Sequence, residues 1–168
     1  MSRLAEPGAP HALAARLVLA ALGLSLIVVA WALTRRLTTA GPARQLPLAI
    51  AGAGIVGVAL VSRDVAHPAV LAVHRSIALV VICALAVAPP LAARSLRRDG
   101  SLSPYATPSL AAGVLSVVLI GAAVIGLFAG GLPSGAWERT FFGLSLVWVV
   151  LLSVRLLRAG PRPGVTAR

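Results

Sequence analysis

Charged residues are scarce in this sequence, and lysine is missing from it altogether. Charged side chains make up 11% of the 168 residues, whereas a soluble globular domain carries about a quarter. So little charge cannot cover the surface of a water-soluble domain, and we therefore expect a membrane protein. The fifteen basic residues are all arginines and outnumber four acids, which gives a net charge of +11. In a membrane protein such an excess of arginine marks cytoplasmic loops.

Aromatic residues and cysteine are also few, and each shortage excludes a class of protein. Aromatic side chains make up 4% of the chain, and no basic face carries them, so the positive charge does not indicate a nucleic-acid partner. The single cysteine, Cys83, cannot form an intramolecular disulfide. Because Cys83 lies in an apolar run, we interpret it as a small buried side chain. No cofactor is expected.

Apolar runs make up most of the sequence. Hydrophobic residues account for 59% of it, with a mean hydropathy of +0.98. A helix that crosses a bilayer needs about 20 mostly apolar residues. We predict an all-α fold, an integral membrane helical bundle in one transmembrane domain over residues 1–168, with flexible tails at 1–10 and 159–168. It has about five transmembrane helices, at residues 13–33, 46–62, 69–92, 108–132 and 140–157. The second is the shortest, and we expect the bilayer to thin locally around it.

The arginines predict the orientation of these helices. With five crossings, ten arginines fall on one side and five on the other. The loops and tail on the richer side hold Arg35, Arg36, Arg44, Arg94, Arg97, Arg98, Arg155, Arg158, Arg162 and Arg168. This bias places the N-terminus outside and the C-terminus in the cytoplasm. We therefore expect a multi-pass protein of the inner (plasma) membrane.

Small residues and prolines predict how the helices pack. In lipid, helices approach closely where small side chains line one face. The second helix carries Ala49, Ala53 and Gly57 at four-residue spacing with Gly52 and Gly54 beside them, and the fourth carries Ala122, Gly126 and Gly130. Both faces are predicted helix contacts. Pro89 and Pro90 remove two backbone donors, so we expect them to kink the third helix or end it before Arg94.

One short stretch, RDVAHPAVLAVHR at residues 63–75, concentrates the titratable side chains. Asp64 and His67 fall in the loop after the second helix, and His74 and Arg75 fall a few turns into the third. Ionisable side chains at such a depth are costly and usually face a partner or a wet cavity. With five crossings, Glu138 and Arg139 start the fifth helix on the same side. The predicted binding or polar-network residues are therefore Asp64, His67, His74, Arg75, Glu138 and Arg139.

Three interpretations of this constellation stay open. In the first interpretation, it is a structural network, in which Asp64 and Glu138 neutralise His74 and Arg75 and join the second, third and fifth helices. In the second interpretation, it is a pocket for a lipid headgroup or another small ligand. In the third interpretation, Asp64, His67, His74 and Glu138 form a metal or acid–base centre, because two histidines and two carboxylates can bind zinc. The His-x6-His spacing fixes no ligand geometry.

The order of the polar residues also resembles a known family. An aspartate, a histidine-bearing third helix, an arginine-rich loop and then WERTFFGLSLVWVVLLSVRLLR are similar to an uncharacterised bacterial family of polytopic membrane proteins, domain of unknown function 998. The corresponding residues here are Asp64, His74, Glu138, Arg139, Trp148 and Arg155. The similarity covers about residues 57–158 and extends less clearly over the first two helices. The resemblance implies a fold of several transmembrane helices and no established activity.

The leading functional hypothesis is a small, non-enzymatic integral membrane protein that binds a lipid or a partner protein, or acts as an accessory subunit. The alternative is a membrane-embedded, metal-dependent hydrolase that uses Asp64, His67, His74 and Glu138. Membrane lipids are the expected partners, together with a second copy of the chain or another membrane subunit. No nucleic acid is expected. Whether the protein catalyses a reaction is left open by the sequence.

Overall fold

The protein is all-helical in the part that its computed structural model describes, residues 10–37, 42–61, 64–129 and 134–158. Five α-helices follow in order: α1 at Ala12–Arg36, α2 at Leu46–Leu60, α3 at Pro68–Leu96, α4 at Ala106–Ala129 and α5 at Ser134–Arg158. Short 3-10 turns at Pro42–Arg44 and Ser103–Tyr105 precede α2 and α4. All but α2 are long and apolar enough to cross a membrane. The protein is thus a helical membrane bundle.

The helices are longer at several ends than the apolar runs predict, because polar residues extend them. Helix α5 begins at Ser134, six residues before the predicted start, and so includes Trp137, Glu138 and Arg139. Helix α2 is the exception, because its 15 residues end at Leu60. At 1.5 Å per residue, α2 is only about 22 Å long. The predicted tails, apart from Pro10, and the Gly130 position lie outside the described residues.

Each helix packs against the next one in the chain. Helices α1 and α5 also contact each other, so the five helices form a ring. The α1–α5 interface is smaller than that of any consecutive pair. Close packing of α1 and α2 depends on Gly23 and Gly52, which face each other across the crossing. On its other side α2 presents Gly54 to Val81 of α3. Gly52, Gly54 and Gly57 thus lie at helix contacts, as predicted, whereas Ala53 is exposed.

Helix α3 continues through Pro89 and Pro90 to Leu96, so the predicted end before Arg94 is wrong. A proline ring that interrupts the backbone bonds of a helix is tolerated in a membrane when neighbouring helices enclose it. Pro89 is fully buried, and a Cβ placed on Gly113 of α4 would lie 2.5 Å from the Cδ of Pro90. Gly113 is therefore the close-packing position of α4. Of the α4 positions that the spacing pattern favoured, Ala122 is exposed and Gly126 is buried.

Side-chain hydrogen bonds join α5 to the α4 region at three levels. The indole N–H of Trp137 donates to the Leu119 carbonyl, and that of Trp148 donates to Ser109 Oγ at 2.9 Å. Further along α5, the Arg155 guanidinium donates to the Tyr105 hydroxyl and lies over its ring. Because residues later in α5 contact residues earlier in the α4 region, the two helices are antiparallel. Cys83, predicted to be buried, is instead exposed on the bundle surface.

Candidate functional site

Because α2 is short, it leaves a recess at the end of the bundle where Glu138 lies. We name this end of the bundle the Glu138 end. The Nδ1 of His74 lies 2.8 Å from the carbonyl oxygen of Val61, the residue that follows α2. His74 is six residues into α3, about 9 Å along its axis, so α2 ends well below the start of α3. A carbonyl oxygen only accepts, and Nδ1 therefore carries the proton and donates. His74 satisfies a helix-terminal carbonyl and keeps Nε2 for another partner.

A cavity of about 350 Å³ lies below this recess, and we name it the upper cavity. Helix α3 contributes the buried His74, and α5 contributes Glu138 and Arg139. His74 and Glu138, which are far apart in the sequence, thus line one cavity. The remaining lining is almost entirely apolar and comes from all helices except α4: Leu19, Leu22, Ile55, Val58, Ala78, Val81, Ile82, Trp137, Phe142, Gly143 and Leu146.

A second, more open cavity of about 360 Å³ adjoins the upper one and shares His74 and Glu138 with it. We name it the side cavity. Arg75 also lines it, and the Arg75 side chain is exposed. Arg139 is likewise exposed at the rim of the upper cavity. The two cavities therefore have one buried histidine and one carboxylate between them, with an arginine at each opening.

Asp64 and His67 form a separate pair in the loop before α3. The Nδ1 of His67 donates to Asp64 Oδ2 at 2.7 Å, and the Ala66 N–H donates to Asp64 Oδ1 at 2.9 Å. The hydrogen bond from His67 is the main reason why the pKa of Asp64 lies below its usual value of 3.8. Asp64 is therefore not the partner of His74, contrary to the sequence-based expectation. The six predicted residues divide into this loop pair and the four that line the cavities.

The metal interpretation requires His67 and His74 to lie near a shared carboxylate. In the structure His67 bonds Asp64 in the loop, whereas His74 bonds the Val61 carbonyl and faces the cavities with Glu138. Within residues 10–37, 42–61, 64–129 and 134–158, no group of three or more His, Cys, Asp or Glu side chains could hold a metal ion. The geometry does not support a hydrolase built on these four residues.

A third cavity, of about 300 Å³, continues the upper one away from the Glu138 end, and we name it the lower cavity. The two share Leu22, Ile55, Phe142 and Leu146. The lower cavity then follows α1 to Val29 and α5 to Leu157. Together the upper and lower cavities form one groove between α1 and α5, the neighbouring helices with the smallest interface. We name this the α1–α5 groove.

The apolar residues of this groove could not be predicted from the sequence. Leucines and valines that line it have the same composition as those that face lipid, and only three-dimensional packing distinguishes them. The periodicity of α1 does suggest one further polar neighbour. Arg16 lies three residues before Leu19, and residues at that spacing are neighbours on one helix face.

A comparison with family models covers nearly the whole described chain. The matching model has the description "Protein of unknown function (DUF998)" and aligns with residues 1–155. No curated protein and no solved structure matches the chain. The match includes all six predicted polar residues and the α1–α5 groove up to Arg155. The chain therefore belongs to the family of proteins of unknown function DUF998.

Proposed function

We propose that this protein is a lipid-binding protein of the bacterial plasma membrane, without enzymatic activity of its own. A lipid headgroup is held at the Glu138 end by His74, Arg75, Glu138 and Arg139, and its tail lies in the α1–α5 groove. One observation carries the proposal: His74 and Glu138 line the same cavity, and nearly all the other walls of that cavity are hydrocarbon. A site with a polar opening above an apolar interior matches the two chemistries of a lipid.

The charges at the opening favour an anionic headgroup. Arg75 and Arg139 are both exposed there, and a guanidinium can bind a phosphate through two parallel hydrogen bonds. Glu138 supplies one negative charge against these two cations, so the opening keeps a positive excess. The buried His74 adds a ring nitrogen that can accept or donate a hydrogen bond at the boundary with the apolar walls.

The arginine distribution supports an orientation with the Glu138 end outside the cell. Arg35, Arg36, Arg94, Arg97 and Arg98 all fall at the opposite end of the bundle, with Arg155 and Arg158. By the positive-inside rule, that end faces the cytoplasm. On this proposal the headgroup site is at the outer surface of the membrane.

The serine hydroxyls along the groove support a binding role over catalysis. Ser25, Ser145 and Ser153 each donate to a carbonyl one turn earlier in their own helix. None of these three hydroxyls contacts the His74 ring, which bonds the Val61 carbonyl instead. The site thus combines an apolar groove with charged side chains at its opening, and both features can retain a lipid.

The experiment uses a glycine pair that separates filling of the cavity from general damage. Gly143 lines the upper cavity, Gly121 does not, and a Cβ on either meets nothing within 4 Å. Native mass spectrometry is carried out on the wild-type protein, Gly143→Trp and Gly121→Trp with added phosphatidylglycerol. We expect bound lipid on the wild type and on Gly121→Trp, and its loss from Gly143→Trp. Equal lipid retention by both variants would contradict the proposal.

A second comparison tests the charges. We expect Arg75→Ala combined with Arg139→Ala to reduce the bound phosphatidylglycerol and to leave phosphatidylcholine little changed. The control replaces Arg97 and Arg98, two exposed arginines at the other end of the bundle, with alanine. If both double variants lose phosphatidylglycerol equally, the lipid is attracted by the overall positive charge of the protein, and the proposed site is wrong.

A further inference from the structure

We infer that the bound lipid is one with a tail longer than a single membrane leaflet, as in a long polyisoprenyl phosphate. The inference rests on the proposed lipid-binding function and names the class of lipid. It depends on how far the α1–α5 groove extends and on where polar groups occur along it.

The groove is deeper than the hydrocarbon of one leaflet. Its walls on α5 run from Arg139 to Leu157, which at 1.5 Å per residue is about 27 Å. One leaflet contributes about 15 Å, half of the roughly 30 Å hydrocarbon core. An ordinary acyl chain that enters from the Glu138 end would therefore fill the upper cavity and leave much of the lower one.

The lower cavity has the chemistry of a tail site and not of a second headgroup site. The described residues that line it carry no charged side chain. Among the described residues that line it, the polar ones are Ser25, Ser145 and Ser153. All three hydroxyls donate to their own helices at 2.7–3.0 Å. The surface that remains is hydrocarbon, so a polar headgroup there would have little to bind.

The two cavities are continuous, which allows one molecule to occupy both. Leu22 of α1, Ile55 of α2, and Phe142 and Leu146 of α5 belong to both walls. Because the groove lies at the thin contact between α1 and α5, a flexible chain can enter it sideways from the bilayer. A single lipid can then place its phosphate at Arg75 and Arg139 and its tail along the whole groove. Such a lipid would contact the walls of both cavities.

The experiment compares two probes that share a headgroup. Farnesyl phosphate has a short tail and undecaprenyl phosphate a long one, and both compete for the full-length protein in native mass spectrometry. Val150 and Leu151 are neighbours on α5 and are 51% and 54% exposed, but only Val150 lines the lower cavity. Val150→Trp therefore blocks that cavity, and Leu151→Trp is its matched control. Val154→Trp, at another position of the lower cavity, is a second blocking variant.

We expect the wild type and Leu151→Trp to retain the long probe over the short one by at least about tenfold. Val150→Trp and Val154→Trp should lose this preference and still bind farnesyl phosphate as the wild type does. If both probes bind equally and the blocking variants change nothing, the long-tail inference is wrong and the proposed function stands. Occupation of the groove by two phospholipids would also overturn the inference. If neither probe nor phosphatidylglycerol binds, the proposed function fails together with it.

Discussion

Gly23 of α1 and Gly52 of α2 lie at a crossing where neither residue has room for a side chain. A Cβ on either glycine would lie 2.5 Å from the carbonyl oxygen of the other. Each would also meet a branched side chain at 2.8 Å, that of Val56 or Ile27. The backbones of the two helices are therefore in direct contact, and this contact holds α2 in the position that defines the recess.

Gly52→Leu is expected to separate α1 from α2 and lower the stability of the bundle. Overpacking a tight contact costs about 1–3 kcal/mol or more, and here the neighbouring atoms include backbone that cannot move aside. Gly121→Leu is the matched control, because a side chain on Gly121 meets open space. Thermal unfolding in detergent should show a lower midpoint for Gly52→Leu alone. A similar loss in both variants would indicate a general effect of leucine and not the crossing.

The Trp148 indole and the Ser109 hydroxyl are expected to be energetically coupled. Their 2.9 Å hydrogen bond is buried between α4 and α5, and polar bonds between membrane helices contribute about 0.6 kcal/mol on average and up to about 1.7. The measurement is a double-mutant cycle of Trp148→Phe and Ser109→Ala, followed by reversible unfolding in mixed micelles. Additive effects of the two substitutions would show that the bond contributes nothing.

Replacing His74 with phenylalanine is expected to destabilise the end of α2. The partly buried Val61 carbonyl would lose its donor. Because a fully buried polar group left unsatisfied costs about 1–3 kcal/mol, we expect a smaller cost here. Hydrogen exchange of the last turn of α2 should accelerate in His74→Phe. The control is His67→Phe, which changes an exposed histidine in the adjoining loop. Unchanged exchange in His74→Phe would mean that the carbonyl finds another donor.

The loop pair is expected to respond to acid. Because the His67 hydrogen bond holds the pKa of Asp64 below 3.8, the contact is present above that pH and is lost as the pH falls through the lowered pKa of the folded protein. Carbon-13 NMR of the Asp64 carboxyl should therefore report a pKa below 3.8, and His67→Ala should raise it. His11→Ala, a change at an exposed histidine just before α1, should have no effect on the pKa of Asp64. An unchanged Asp64 titration in His67→Ala would contradict the assignment.

Hydropathy was sufficient to predict the helices, because all five runs are apolar and four of them are long enough to cross a membrane. Counting crossings was also sufficient to expect His74 and Glu138 at the same end of the bundle. The partner of His74 could not be predicted, because patterns of charge report side chains, whereas the observed partner is a backbone carbonyl. Gly113 was missed for a related reason. Its role depends on the ring of Pro90 in another helix, and no spacing within α4 encodes that contact.

Pro89 and Pro90 have a consequence for the stability of α3 in the membrane. A proline has no N–H, so the carbonyls of Leu85 and Ala86, four residues earlier, cannot receive their usual helix bonds. Alone in lipid, α3 would carry two unsatisfied oxygens at a cost of several kcal/mol each. In the bundle, Leu85 and Ala86 are buried and Gly113 packs against Pro90. We therefore expect α3, although apolar enough to span a membrane, to be more stable in the bilayer when α4 is packed against it.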